Sequence, residues 1–112
     1  MPDQEREIII PRYKVIVLYD VLPSNHESYF QFVMSELVPS LQEMNVYMTE
    51  AWHTAYGDYP LRMAIFVAED IGTIWSMLDS DRWQELESRF MNYVRNYSLK
   101  VVKYRRGFQF IR

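Results

Sequence analysis

Residues 12–112 predict an α+β domain in which one four-stranded antiparallel sheet carries helices on one face, preceded by an N-terminal arm over residues 1–11 that is polar through residue 7 and then carries the β-prone Ile8-Ile9-Ile10 before Pro11. Three observations carry this reading. A strongly alternating apolar strand at 12–22 is followed by a long stretch at helical spacing. A hairpin pattern occupies 46–68. A second helical stretch then leads into a last alternating segment at 99–111, so the order is strand, helix, strand, strand, helix, strand.

In the first strand, Tyr13, Val15, Val17, Tyr19 and Val21 share one face and Ile16, Leu18 and Leu22 the other. Apolar residues on both faces mark a central strand. Pro23 stops it, and Ser24 with Glu27 three residues later predicts a capping box for a helix from 25 to 44. Its apolar stripe is Phe30, Val33, Met34, Leu37, Leu41 and Met44, and Pro39, which has no N–H to donate, predicts a kink or break.

The hairpin turns at Gly57-Asp58, two residues that tolerate the positive φ of a tight turn. A two-residue loop sets Tyr56 opposite Tyr59, His53 opposite Arg62, Ala51 opposite Ala64 and Thr49 opposite Phe66, with these last six on one face. The other face carries Val46, Met48, Glu50, Trp52, Leu61, Met63, Ile65 and Val67. A loop one residue longer would mix the two sets.

Glu69-Asp70 ends the third strand, and Asp70 predicts the cap of a short helix with Ile71, Ile74, Trp75 and Leu78 on its apolar side. The string Asp79-Ser80-Asp81 interrupts the pattern, and Asp81 with Gln84 predicts a second cap. Trp83, Leu86, Phe90, Val94 and Tyr97 then read as the stripe of a longer helix ending near Asn96. In the last strand Val102, Tyr104, Phe108 and Phe110 share a side, and Gly107 marks a bulge or the end of regular pairing.

The order of elements is that of the ferredoxin-like fold, whose helices leave one sheet face open. All four strands are apolar or aromatic on both sides, so a homodimer closing two open faces against each other is expected. From residue 12 to about 111, the end of the 46–57 strand, the hairpin return and the interrupted helix MLDSDRWQELESRF resemble the dimeric α/β-barrel superfamily. That superfamily includes antibiotic-biosynthesis monooxygenase-like and NIPSNAP-like domains. The resemblance implies the fold and the dimer; its members range over cofactor-free oxygenases, haem-handling proteins, small-molecule isomerases and domains without a known activity.

Composition narrows the function classes. With 112 residues, 49% hydrophobic, three Gly and five Pro, the chain is one well-folded domain. A net charge of −3 gives no electrostatic case for nucleic acid or an anionic membrane. The absence of Cys removes thiolate chemistry and disulfides and fits a reducing compartment. With acidic residues at its start and no apolar run of the ~20 residues a spanning helix needs, a cytoplasmic protein is expected. Gly57, Gly72 and Gly107 are too scattered for a phosphate loop, and no Ser sits in a nucleophile elbow.

No His, Asp or Glu pair has ligand spacing, and His26 at the start of the first helix is expected in solvent, so no metal and no cofactor are expected. The string RGFQFI at 106–111 resembles an RNA-recognition motif but falls on the fourth strand rather than the third. Lys100, Lys103, Arg105, Arg106 and Arg112 read instead as an edge that resists strand pairing and faces the acidic arm of Asp3, Glu5 and Glu7.

The candidate catalytic residues are His53 and Arg62, side by side across the hairpin, His being a base that titrates near neutrality. Tyr47, Thr49 and Phe66 beside them, and Glu50 and Trp52 on the opposite face, are the candidate ligand-binding residues. The structural alternative is a hydrogen-bonded cross-strand pair at a sheet end. Two function classes follow: a binder of a small apolar or aromatic molecule, or a cofactor-independent oxygenase- or isomerase-like enzyme acting on one; and a non-catalytic self-association module.

Overall fold

The computed structural model describes residues 10–56 and 59–103, with backbone alone for 52–56 and 59–60. The elements are β1 (Tyr13–Val21), a 3₁₀ turn (Pro23–Asn25), α1 (His26–Phe32), a π-helical turn (Val33–Leu37), α2 (Val38–Glu43), β2 (Tyr47–Tyr56), β3 (Tyr59–Ala68), α3 (Ile71–Leu78), α4 (Asp81–Phe90) and β4 (Val94–Lys103). The strands form one antiparallel sheet in the order β2-β3-β1-β4. This is the ferredoxin-like α+β arrangement, with β1 central as its two-sided pattern predicts. On β1, Val15, Val17, Tyr19 and Val21 are buried beneath the helices, while Ile16 and Leu18 on the open face are half-buried. No helix among the described residues is long and apolar enough to cross a membrane.

The first helical region departs from expectation at both marked points. Helix α1 begins at His26 after the 3₁₀ turn, and its N-cap Asn25 makes no side-chain capping bond, so the Ser24/Glu27 capping box does not form. Pro39 does not break the helix. The chain widens into the π-helical turn just before it, where the Val38 N–H donates to Val33 O, and the wide turn makes room for the proline ring. Tyr29, Val33, Leu37 and Leu41 are buried at four-residue intervals, longer than the 3.6 residues of an α-turn, and the π turn takes up the difference. The buried stripe therefore includes Tyr29 and Phe32, while Phe30 and Met34, expected on it, are exposed.

In the second helical region the predicted break near Asp79 is present. Asp70 caps α3 by accepting from the Thr73 N–H at 3.0 Å. The α4 cap is Ser80, one residue before the expected Asp81, accepting from the Trp83 N–H at 3.1 Å. Ile74 and Met77 enter the core, whereas Trp75 points outward, 53% exposed. Helix α4 ends at Phe90, and Val94 and Tyr97 lie on β4, not on the helix stripe. Both positions fit helical spacing from Trp83 and Phe90, which is why period alone misplaced them. Tyr104, Gly107, Phe108, Phe110, the Gly57-Asp58 turn, residues 1–9 and the basic residues beyond 103 lie outside the described residues.

The hairpin register agrees with expectation for Tyr56 and Tyr59, His53 and Arg62, and Ala51 and Ala64. It departs at Thr49. Met48 pairs with Phe66 and Glu50 with Ile65, so Thr49 is the extra residue of a β-bulge. Met48 consequently joins the face of Ala51, Ala64 and Phe66, opposite to the face expected for it. A second irregularity interrupts the other edge: Leu18 pairs with Ser98 and Asp20 with Arg95, so Asn96 and Tyr97 together oppose Tyr19. Asn96 adopts a left-handed φ of 55° and its Nδ2 donates to Asp20 Oδ2 at 2.8 Å.

Candidate ligand cavity beneath the first helix

The helices do not close completely on the sheet. A cavity of about 120 Å³ lies between the inner sheet face and the first helical region, with room on the order of a single aromatic ring. Its floor is Val15, Val17, Ala51, Ala64 and Phe66; its roof is Val33 and Leu37; Trp83, Met77 and Phe90 form the back, and the exposed Phe30 and Met34 also line it. Both bulges contribute lining. The bulge at Thr49 turns Met48 inward, and the bulge at Asn96 accompanies the inward Tyr97. Bulges commonly re-aim side chains beside binding sites, and here one does so from each edge strand.

Polar groups gather at Tyr19, Tyr29 and Arg62, which line the same cavity. The Tyr19 and Tyr29 hydroxyls, on residues 4% and 5% exposed, share a hydrogen bond of 2.6 Å. Burial, reinforced by the neighbouring Tyr29, holds the Tyr19 phenol far above its ordinary pKa, so it remains a neutral donor. Arg62 reaches inward from β3 with its guanidinium carbon 5.5 Å from the centre of the Tyr29 ring. Its Nη2 donates to His26 Nε2 at 2.8 Å; arginine carries donors only, so the imidazole nitrogen accepts. Its Nε is buried without a hydrogen-bond partner among the described residues. Tyr97 donates to Glu87 Oε2 at 2.7 Å, and burial followed by that bond raises its pKa.

Of the residues picked from sequence, Arg62 and Phe66 meet in this cavity. Tyr47 donates to Asn45 Oδ1 at 3.4 Å, and the bulge residue Thr49 donates to the Ile65 carbonyl at 3.3 Å. Glu50 is exposed on the strand beyond that bulge. The backbone of His53 pairs with that of Arg62 and that of Trp52 with Met63, while the side chains of both lie outside the described residues. Sequence reasoning missed Tyr19 and Tyr29 as a pair; His26 is exposed, as expected, but its contact with Arg62 was not foreseen. The available signal was Tyr19 itself: a hydroxyl on the inner face of a central strand requires a partner from whatever packs above it. Among the described residues, no group of three or more His, Cys, Asp or Glu could hold a metal ion.

No protein-family model matches the chain, and no curated protein matches it. Solved structures do. A NIPSNAP family protein from Agrobacterium tumefaciens superposes with a TM-score of 0.65 at 11% identity, covering 90% of this chain and 99% of that one. An uncharacterised NIPSNAP domain protein from Burkholderia xenovorans gives 0.63 at 10% identity over 86% and 96%. A conserved protein of unknown function from Bacteroides thetaiotaomicron, described as a possible oxidoreductase, gives 0.65 at 9% identity over 84% and 98%. At these identities the likeness is one of fold: the chain is built as NIPSNAP-like, ferredoxin-like proteins are.

Proposed function

We propose that this protein binds a compact, mainly apolar small molecule in the cavity beneath its first helical region. The observation that carries this reading is the cavity itself: apolar on its floor, roof and back, with three phenols and a guanidinium among its lining. A domain whose only task was self-association would gain about 0.1–0.2 kcal/mol for each additional atom pair by packing such a space shut. The same donors would serve a cofactor-independent oxygenase or isomerase, because a phenol and a guanidinium stabilise an oxyanion that develops on a bound substrate.

The open sheet face supports pairing of two copies of the chain. Ile16 and Leu18 on β1 and Leu61 and Met63 on β3 form a half-buried apolar patch opposite the cavity. Dimerisation and ligand binding therefore use opposite faces of one sheet, and light scattering on the purified protein reads the first independently.

The cavity reading is tested with Ala64→Leu, which adds three carbons to the floor. Calorimetric titration with indole should show saturable binding, one molecule per chain, to the wild type. The variant, folded by circular dichroism, should bind at least tenfold more weakly. Equal binding by both proteins would place the ligand elsewhere, and no binding by the wild type would leave the self-association module as the better account.

A further inference from the structure

We infer that the ligand of this cavity carries a carboxylate, held by Arg62 and by one phenolic proton of the Tyr19–Tyr29 pair. This rests on the cavity being a ligand site and adds the class of molecule. The groups gathered at Tyr19, Tyr29 and Arg62 have donors to spare. Two hydroxyls share one hydrogen bond, so whichever donates, a phenolic proton is left for a third group. The buried Nε–H of Arg62 has no acceptor among the described residues.

Among the described residues the guanidinium is hydrogen-bonded to the imidazole of His26, which accepts, and it also lies over the Tyr29 ring face. Neither cancels its charge. Arg62 is half-buried, and its Nε–H is withdrawn from solvent; a cation so placed gains from a facing anion, and a fork of guanidinium N–H groups matches the two oxygens of a carboxylate. The rest of the lining sets the remainder of the molecule: Phe66, Ala64, Val17, Leu37 and Met48 offer contact surface without hydrogen bonds. The expected ligand is thus a small monocarboxylate with a compact aromatic or branched apolar body.

The test is calorimetric titration at pH 7.5 with phenylacetate and 3-phenylpropanoate, each against its own primary amide, on the wild type, Arg62→Met and Arg62→Lys. The amides keep the shape and remove the charge. The wild type should bind each acid at least about tenfold more tightly than its amide, the scale of a charge-assisted hydrogen bond. Arg62→Met should lose that preference while still binding the amides, and Arg62→Lys should keep part of it. Thermal melts establish that each variant is folded, and if Arg62→Met is not, the acid-to-amide ratio in the wild type and Arg62→Lys decides. Equal affinity of acids and amides for the wild type would overturn the carboxylate while leaving the apolar cavity reading intact. Binding of neither would overturn both.

Discussion

Removing one hydroxyl of the Tyr19–Tyr29 pair should cost more than removing both. The two oxygens are 2.6 Å apart on residues that are almost fully buried. Tyr19→Phe deletes a hydrogen bond and strands the Tyr29 oxygen, so the loss is about 1–3 kcal/mol, set by the unpaired buried hydroxyl rather than by the modest net value of the bond. Tyr29→Phe does the same to Tyr19. The double variant leaves two phenyl rings in contact and no orphan, and should lie within about 1 kcal/mol of the wild type. Urea unfolding followed by far-UV circular dichroism measures this directly. With a slope of about 1–1.5 kcal/mol per molar urea for a small domain, each single change should lower the midpoint by about 0.7–3 M and the double change by less. If the two losses simply add, the hydroxyls are not each other's partner and the polar grouping has been described wrongly.

Asn96 provides a backbone test. At a φ of 55° a β-branched side chain is strained, so Asn96→Val should be less stable than Asn96→Gly by about 1–2 kcal/mol in chemical denaturation. Equal stability would remove the left-handed bulge. Burial raises the phenols of Tyr19 and Tyr97 above their ordinary value of about 10, so the stability they contribute is full below about pH 10 and is lost as pH rises beyond it. Absorbance at 295 nm should show these two ionising only with the unfolding transition, and early, unfolding-independent titration of all tyrosines would contradict their burial. Glu36 accepts both guanidinium bonds of Arg89, at 2.7 and 2.9 Å, and that pairing lowers its pKa. Its contribution is present above the ordinary glutamate value and lost as pH falls through the lowered one, so Glu36→Gln should flatten that acid-side decline slightly in thermal melts. An unchanged decline would show that the pair is inert.

The fold was legible in the sequence because its strongest signals are local or strictly periodic. The alternation of β1 marked Val15, Val17, Tyr19 and Val21 as one face, and these residues form the sheet side of the core. Asp70 stood where a cap must, and the hairpin pairs nearest Tyr56 and Tyr59 followed from loop length. What escaped depends on single-residue insertions and on contacts between distant elements. Thr49 and Asn96 each add one residue to an edge strand, and nothing in side-chain type at Thr49 announces it, yet that insertion moved Met48 to the cavity face. Val94 and Tyr97 satisfy both a helical and a strand period. The contact between Arg62 and His26 joins a strand to a helix start 36 residues away, where neither periodicity nor pairing rules reach. Arg62 itself was found because the hairpin register was right at its position.

The central claim is that an apolar small molecule enters the space under the first helical region. It is tested most directly by methyl-resolved NMR of the Ile, Leu, Val and Met groups during titration with neutral 3-phenylpropanamide. The account predicts saturable shifts at Val17, Val33, Leu37 and Met48, with Ile16, Leu18, Leu61 and Met63 on the open face unmoved. Shifts confined to the open face, or none at saturating ligand, would contradict it.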